Sequence, residues 1–275
     1  MLLIKISSVP NAATFFVTHP VTSFALIMTL QSLFNETATE AERNWLEMKM
    51  AAPVPARLAA FVATPRFVAR RNVPEPTDGV PPTWTMDQLA RVLLLLSLPT
   101  EPEAAYVKAI QTLFDTGELH EFVALYSALP LFAYPERWLF QATEAVRSNM
   151  GPVFDAIAFD NTYPADYFPE AAWNQLVLKC IFNDKPISRI TGLAKRANQT
   201  LANDLSNFAH ERWAAGRTVP PEVWQLIPRF MNETLLGDVK KLLQSTNEQD
   251  RLAAQHIIDQ TDYAPAKQLT GNDHP

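Results

Sequence analysis

WTMDQLARVLLLLSLP, residues 84–99, is apolar on nearly every side of a helical projection. A surface helix carries its apolar residues along one stripe, whereas a segment apolar all round belongs to an interior. Thr85 or Asp87 supplies a start signal and Pro99 a stop. The stretch therefore predicts a buried central helix. Downstream, EPEAAYVKAIQTLFDTG (101–117) repeats apolar positions at Ala105, Ala109 with Ile110, and Leu113, and Gly117 suits the residue past a helix end. No run alternates apolar and polar residues with period two, so no sheet is expected. The chain has 22 prolines against 7 glycines, a balance that fits short helices stopped by proline rather than hairpins built on glycine turns. The expected fold is all-α: stacked helical hairpins in an α-solenoid-like (HEAT/TPR-like) arrangement, within a single domain.

Around this centre the organisation follows from composition. Residues 1–29 read as an irregular arm, interrupted by Pro10, His19 and Pro20, with no uninterrupted apolar span near the ~20 residues of a membrane helix. RRNVPEPTDGVPPT (70–83) is a proline-rich loop inside one domain covering 30–263, and 264–275 reads as a disordered polar tail. A weak repeat of 34 residues relates Pro135-Glu136 to Pro169-Glu170 and Asn149-x-x-Pro152 to Asn183-x-x-Pro186. At the same offset Leu119 matches Val153, Val123 matches Ile157, Leu139 matches Trp173, and Val146 matches Cys180. A period near 34 is the length of a helical hairpin, and stacked hairpins make a solenoid.

The 275 residues carry a formal charge of −6 and a pI of about 5.4. That balance argues against a nucleic-acid binder, which needs a basic face. Cys180, the single cysteine, lies in the apolar run LVLKCIF and reads as a buried inert thiol; one cysteine also fits a reducing compartment.

Four polar groupings are candidates for chemistry. FDAIAFDNTYPADYF (154–168) holds Asp155, Asp160, Asn161, Tyr163 and Asp166. Three carboxylates can bind a cation through oxygen, but the spacing is not an EF-hand, and turn chemistry with Asn161 capping is the preferred reading. In EAAWNQLVLKCIF (170–182) an apolar stripe of Trp173, Leu176, Val177, Cys180 and Ile181 is flanked by Asn174, Gln175 and Lys179, which reach solvent or line a groove. In LAKRANQTLANDL (193–205) Lys195 and Arg196 suit a helix C-terminus and Asn198 caps the next helix. In FAHERWAAGR (208–217) His210 and Arg212 lie beside the buried stripe of Leu201, Leu205, Phe208 and Trp213, while Glu211 points elsewhere. A zinc-protease pair needs a second His four residues on; Ala214 stands there. No phosphate loop, nucleophile elbow or paired Cys-x-x-Cys occurs, so no metal, cofactor or catalytic residue is assigned.

LARVLLLLSLP (89–99), ELHEFVALYSALPLFAYPERW (118–138), VRSNMGPVFDAIAFDNTYPADYF (146–168), AAWNQLVLKCIF (171–182), ITGLAKRANQTLA (190–202) and FAHERWAAGRTVPPEVW (208–224) together resemble the EboA family of metabolite traffic proteins, encoded with the ebo gene cluster. The resemblance covers roughly 84–230, and AHERWAAGR followed by V-x-P-E-x-W is its most specific piece. The family pattern carries an acid where Ala194 stands, so any contact made by that acid is absent here. The resemblance implies a role in handling or exporting a small biosynthetic precursor, alongside other ebo-cluster proteins including a membrane prenyltransferase, in the cytoplasm or at the periphery of the inner membrane. It also places Asn149, Asn161, Asn174, Lys179, Arg196, Asn198, His210 and Arg212 in family motifs. With Tyr163 they are the expected ligand-binding residues.

Three readings follow, in order of preference. The first is a non-catalytic carrier holding an aromatic or prenylated precursor in a groove among helices. The second is a helical scaffold that docks pathway enzymes. The third is an enzyme using His210 as acid/base with Asp155 or Asp160 on a cation.

Overall fold

The computed structural model describes residues 20–74 and 83–271. Helix begins inside the expected arm, since α1 (Pro20–Thr37) includes residues 20–29. Proline at the first helical position loses no intrahelical bond and has its φ already set, so Pro20 starts this helix rather than blocking it. Residues 1–19 of that arm lie outside the described residues. No strand occurs among the described residues, and the all-α expectation holds. One isolated bridge, Asn72 to Thr85, joins the ends of the proline-rich loop. There Val73 N–H donates to Trp84 O (3.0 Å) and Met86 N–H to Arg71 O (2.8 Å); residues 75–82 are outside the description.

The chain divides into two compact units, residues 1–137 and 138–275. The first unit contains α1, α2 (Glu40–Met50), α3 (Val54–Ala63), α4 (Met86–Leu96), α5 (Glu103–Thr116) and α6 (Leu119–Ala128). Every residue from Met86 to Leu95 of α4 is buried, and α1, α2, α3 and α6 all pack on it. The apolar circumference of residues 84–99 thus finds neighbours on all sides. Helix α2 opens with a capping box: Glu42 N–H donates to Thr39 Oγ1 (3.3 Å) while Thr39 N–H donates to a Glu42 carboxylate oxygen (2.8 Å). The same carboxylate receives Arg71 (2.6 Å) and the Ala69 amide (3.0 Å). The Arg71 hydrogen bond, reinforced by these amides against the opposing effect of burial, lowers the Glu42 pKa to about 2.

The second unit contains α7 (Leu139–Arg147), α8 (Gly151–Ala158), α9 (Tyr163–Tyr167), α10 (Glu170–Phe182), α11 (Leu193–Arg196), α12 (Gln199–Ala214), α13 (Glu233–Leu243), α14 (Glu248–Gln260) and α15 (Ala264–Lys267). Helix α7 packs on α8 and α10, α10 on α12, α12 on α13, and α13 on α14. Trp138, Tyr163, Trp173 and Trp224 are fully buried among them. The positions matched by the 34-residue offset take similar local structure. Leu119 and Val153 fall in α6 and α8, Val146 and Cys180 are buried in α7 and α10. The two Pro-Glu pairs differ: Pro135 starts a short 3₁₀ turn, whereas Pro169 is the extended N-cap residue of α10. The tail expected over 264–275 is ordered at its start. Pro265 sits in the first turn of α15, and the small Ala266 side chain is fully buried on a helix that packs against α13 and α14.

Candidate functional site

Helix α10 buries one face and leaves the other open. Trp173, Leu176, Val177, Cys180 and Ile181 are buried. Burial pushes the Cys180 thiol up to about 12, which makes it inert as a nucleophile. The remaining face, Ala171, Asn174, Gln175, Leu178, Lys179 and Phe182, forms one wall of a groove of about 490 Å³. Thr200 and Asp204, one turn apart on α12, form the other wall. Phe182 stands at the rim, 57% exposed, with its ring edge-on to Phe208 at 5.0 Å between centroids.

The start of α12 is fixed against α10 by a pair of side-chain amides. Asn174 Nδ2 donates to Asn198 Oδ1 (3.2 Å) and Asn198 Nδ2 donates to Asn174 Oδ1 (2.8 Å). Asn198 Oδ1 also accepts the Leu201 amide at 2.8 Å, so the residue caps α12 as its position suggested. Arg196 just before it does not face the groove. Its guanidinium donates to the carbonyls of Ala165 (2.7 Å) and Phe168 (2.8 Å) at the end of α9, and lies 5.0 Å from the Trp173 ring. Lys179 lines the groove with its stem only. Its ammonium donates to Val146 O and Ser148 O, both at 2.7 Å, where α7 ends, and sits 4.9 Å from the Phe154 ring. Both cations satisfy carbonyls that a helix C-terminus leaves without partners.

The other expected ligand residues are dispersed. Asn161 forms a turn, accepting the Tyr163 amide (3.0 Å) and donating to Ala156 O (2.8 Å). Tyr163 is buried between Tyr167 and Phe168. Asn149 is exposed in the turn between α7 and α8. Arg212 donates to Thr218 O and lies 5.5 Å from the Phe208 ring, closing the turn that follows α12. Thus the nine residues do not converge: Asn174 and Lys179 line the groove, Asn198 braces it, His210 pairs with Asp238, and the other five lie at turns, at helix ends or in the core. Asp155 pairs with Lys185 and Asp160 with Arg189, each at 2.5 Å. Among the described residues no group of three His, Cys, Asp or Glu side chains could hold a metal ion.

His210 has a different partner set. Its Nε2 lies 2.5 Å from Asp238 Oδ1, and Ser206 Oγ donates to Asp238 Oδ2 at 2.5 Å. Asp238 and Ser206 are buried, while the His210 side chain is 49% exposed. Ser206 bonds the carboxylate and not the imidazole, so these three side chains lack the nucleophile–base contact of a serine hydrolase. Sequence reasoning missed Asp238, which lies on α13 beyond the resembling stretches. It also missed the buried Asp87–Arg91 pair, although an Asp and an Arg four apart in an otherwise apolar helix were a readable signal.

The geometry defines an all-α protein with an open groove beside a helix buried on one face, the long cations near it committed to helix ends. The family model described as metabolite traffic protein EboA matches residues 26–228, and the chain belongs to the EboA family. The match begins well before residue 84, where the visible resemblance starts. Neither the curated proteins nor the solved structures contain a match.

Proposed function

We propose that this protein is a non-catalytic carrier that holds a small aromatic or prenylated precursor in the groove between α10 and α12. The observation that carries this reading is the groove itself. Ligand sites are concave and largely apolar with a few placed polar groups, and Leu178, Phe182 and the Lys179 stem stand beside Asn174, Thr200 and Asp204. The family description as a metabolite traffic protein supports the same reading. Native mass spectrometry of the protein purified gently from producing cells tests it. A mass released on denaturation, and lost from a Leu178→Glu variant that still folds, is the expected result. An identical mass in both proteins would move the cargo elsewhere, and no extra mass while the pathway runs would end the carrier reading.

A second reading, a scaffold docking other ebo-cluster proteins such as a membrane prenyltransferase, has its own support. Phe140 is 70% exposed on α7 and Met150 43% exposed before α8, large apolar side chains that a docked partner would cover. No helix among the described residues is long and apolar enough to cross a membrane, and in this reading the protein docks on such a partner from the cytoplasm or the periphery of the inner membrane. Loss of partner pull-down on Phe140→Asp, with the cargo retained, would favour the scaffold.

A further inference from the structure

We infer that the groove between α10 and α12 selects by charge, taking neutral or cationic amphiphiles and discriminating against anionic ones. This rests on the reading of that groove as a small-molecule site. The lining contains one formal positive charge, Lys179, and one negative, Asp204. They are not equivalent. The Lys179 ammonium is fixed on the carbonyls of Val146 and Ser148 and over the Phe154 ring. Turning it toward an anion would strand two carbonyls at the end of α7, at the cost of leaving polar groups without partners. The Asp204 side chain makes no hydrogen bond or ion pair among the described residues, and the residue is only half-buried. Its carboxylate therefore remains available to a ligand.

One feature would favour an anion: the amino terminus of α12, near Thr200. Its Leu201 amide is bonded by Asn198 Oδ1 (2.8 Å), and Asn198 is itself held by Asn174; the Gln199 and Thr200 amides keep the partial positive charge of a helix start, about half a unit, which the full charge of Asp204 one turn on outweighs. The Asn174 amide is likewise engaged, which leaves Gln175, Thr200 and Asp204 as the lining's unengaged polar side chains. A ligand that lays its apolar body on Leu178 and Phe182 meets a carboxylate and two neutral groups. The matching head is an ammonium, an amine N–H or a hydroxyl. A diphosphate, sulfate or carboxylate placed there would meet a like charge.

Calorimetric titration of the full chain with three probes of one ring and different charge tests this: 1-naphthylmethylamine, 1-naphthylmethanol and 1-naphthylacetate. The amine should bind about two- to fivefold more tightly than the alcohol, the range of a partly exposed ion pair, and the carboxylate more weakly than either. Asp204→Asn should erase the amine's advantage, and Asp204→Lys should reverse the order of amine and carboxylate. Equal affinities, tightest binding of the carboxylate, or an order unmoved by Asp204→Lys would overturn the charge selection while leaving the groove as a ligand site. Failure of all three probes to bind would overturn both readings.

Discussion

Helices α4 and α10 lie in different units and show two ways of using a strongly apolar segment. Helix α4 is enclosed all round, and its charged residues are buried with it: Arg91 is 2% exposed and Asp87 3%. Arg91 bonds Asp87 at 3.3 Å and donates to Phe61 O at 3.1 Å, and burial draws its pKa down. Helix α10 is enclosed on one side only. Of its two charged residues, Glu170 is exposed in the first turn and Lys179 escapes to the end of a neighbouring helix, and its open face becomes a groove wall. The first arrangement leaves no face of the helix open; the second leaves one face open as a groove wall while the long cations near it act as helix-end donors. Polarity alone therefore does not mark a side chain that is open to a ligand. What matters is whether its polar head still lacks a partner after folding.

The largest expected effect is in α4. Arg91→Met strands the Asp87 carboxylate in the interior and should cost about 3–5 kcal/mol, read as a fall in the urea midpoint. Adding Asp87→Leu should recover most of that loss. A double variant as unstable as the single one would show that packing, not the uncompensated charge, sets the cost. Next comes the acid limb of stability in the first unit. Glu42 has a folded pKa of about 2 against an ordinary 4.5. A depressed carboxylate contributes stability above its unfolded pKa and loses it as pH falls through the folded value. Between about pH 5 and 2, Glu42→Gln should flatten the decline in stability by on the order of 2 kcal/mol, a figure discounted because Arg71 is partly exposed.

In the second unit the effects should be smaller. Arg196→Met removes the donors at the end of α9 and should cost about 1–3 kcal/mol. If it leaves stability unchanged but weakens cargo binding, Arg196 returns to the ligand set and the contrast drawn above fails. His210→Ala should cost less than about 1 kcal/mol, because the imidazole is half-exposed and Asp238 keeps its bond from Ser206. It should also leave cargo affinity within about twofold. A clear loss of affinity would establish a second ligand contact away from the groove.

Much of the fold could be read from local patterns. The apolar circumference of 84–99 announced α4, Asn198 announced the start of α12, and the proline punctuation announced short helices. The site was less legible. Asn174 and Lys179 were rightly seen to flank an apolar stripe, but Asp204, the unengaged charge of the groove, was not singled out because nothing within its own helix distinguishes it. Arg196 and Lys179 looked like ligand residues from their motifs, yet each reaches carbonyls about thirty residues earlier in the chain. Pro20 misled in the opposite direction: as an interrupter it suggested an irregular arm, and as a first-turn residue it begins α1.

The sequence by itself determined that this chain is helical, where several helices such as α4, α5 and α12 start or stop, and which helix must be enclosed. These are matters of backbone preference and apolar period within a dozen residues. Only the tertiary structure decided which polar heads stay free. A long side chain takes whatever unsatisfied carbonyl or carboxylate folding brings within its reach, and that partner is fixed by packing between segments far apart in the chain.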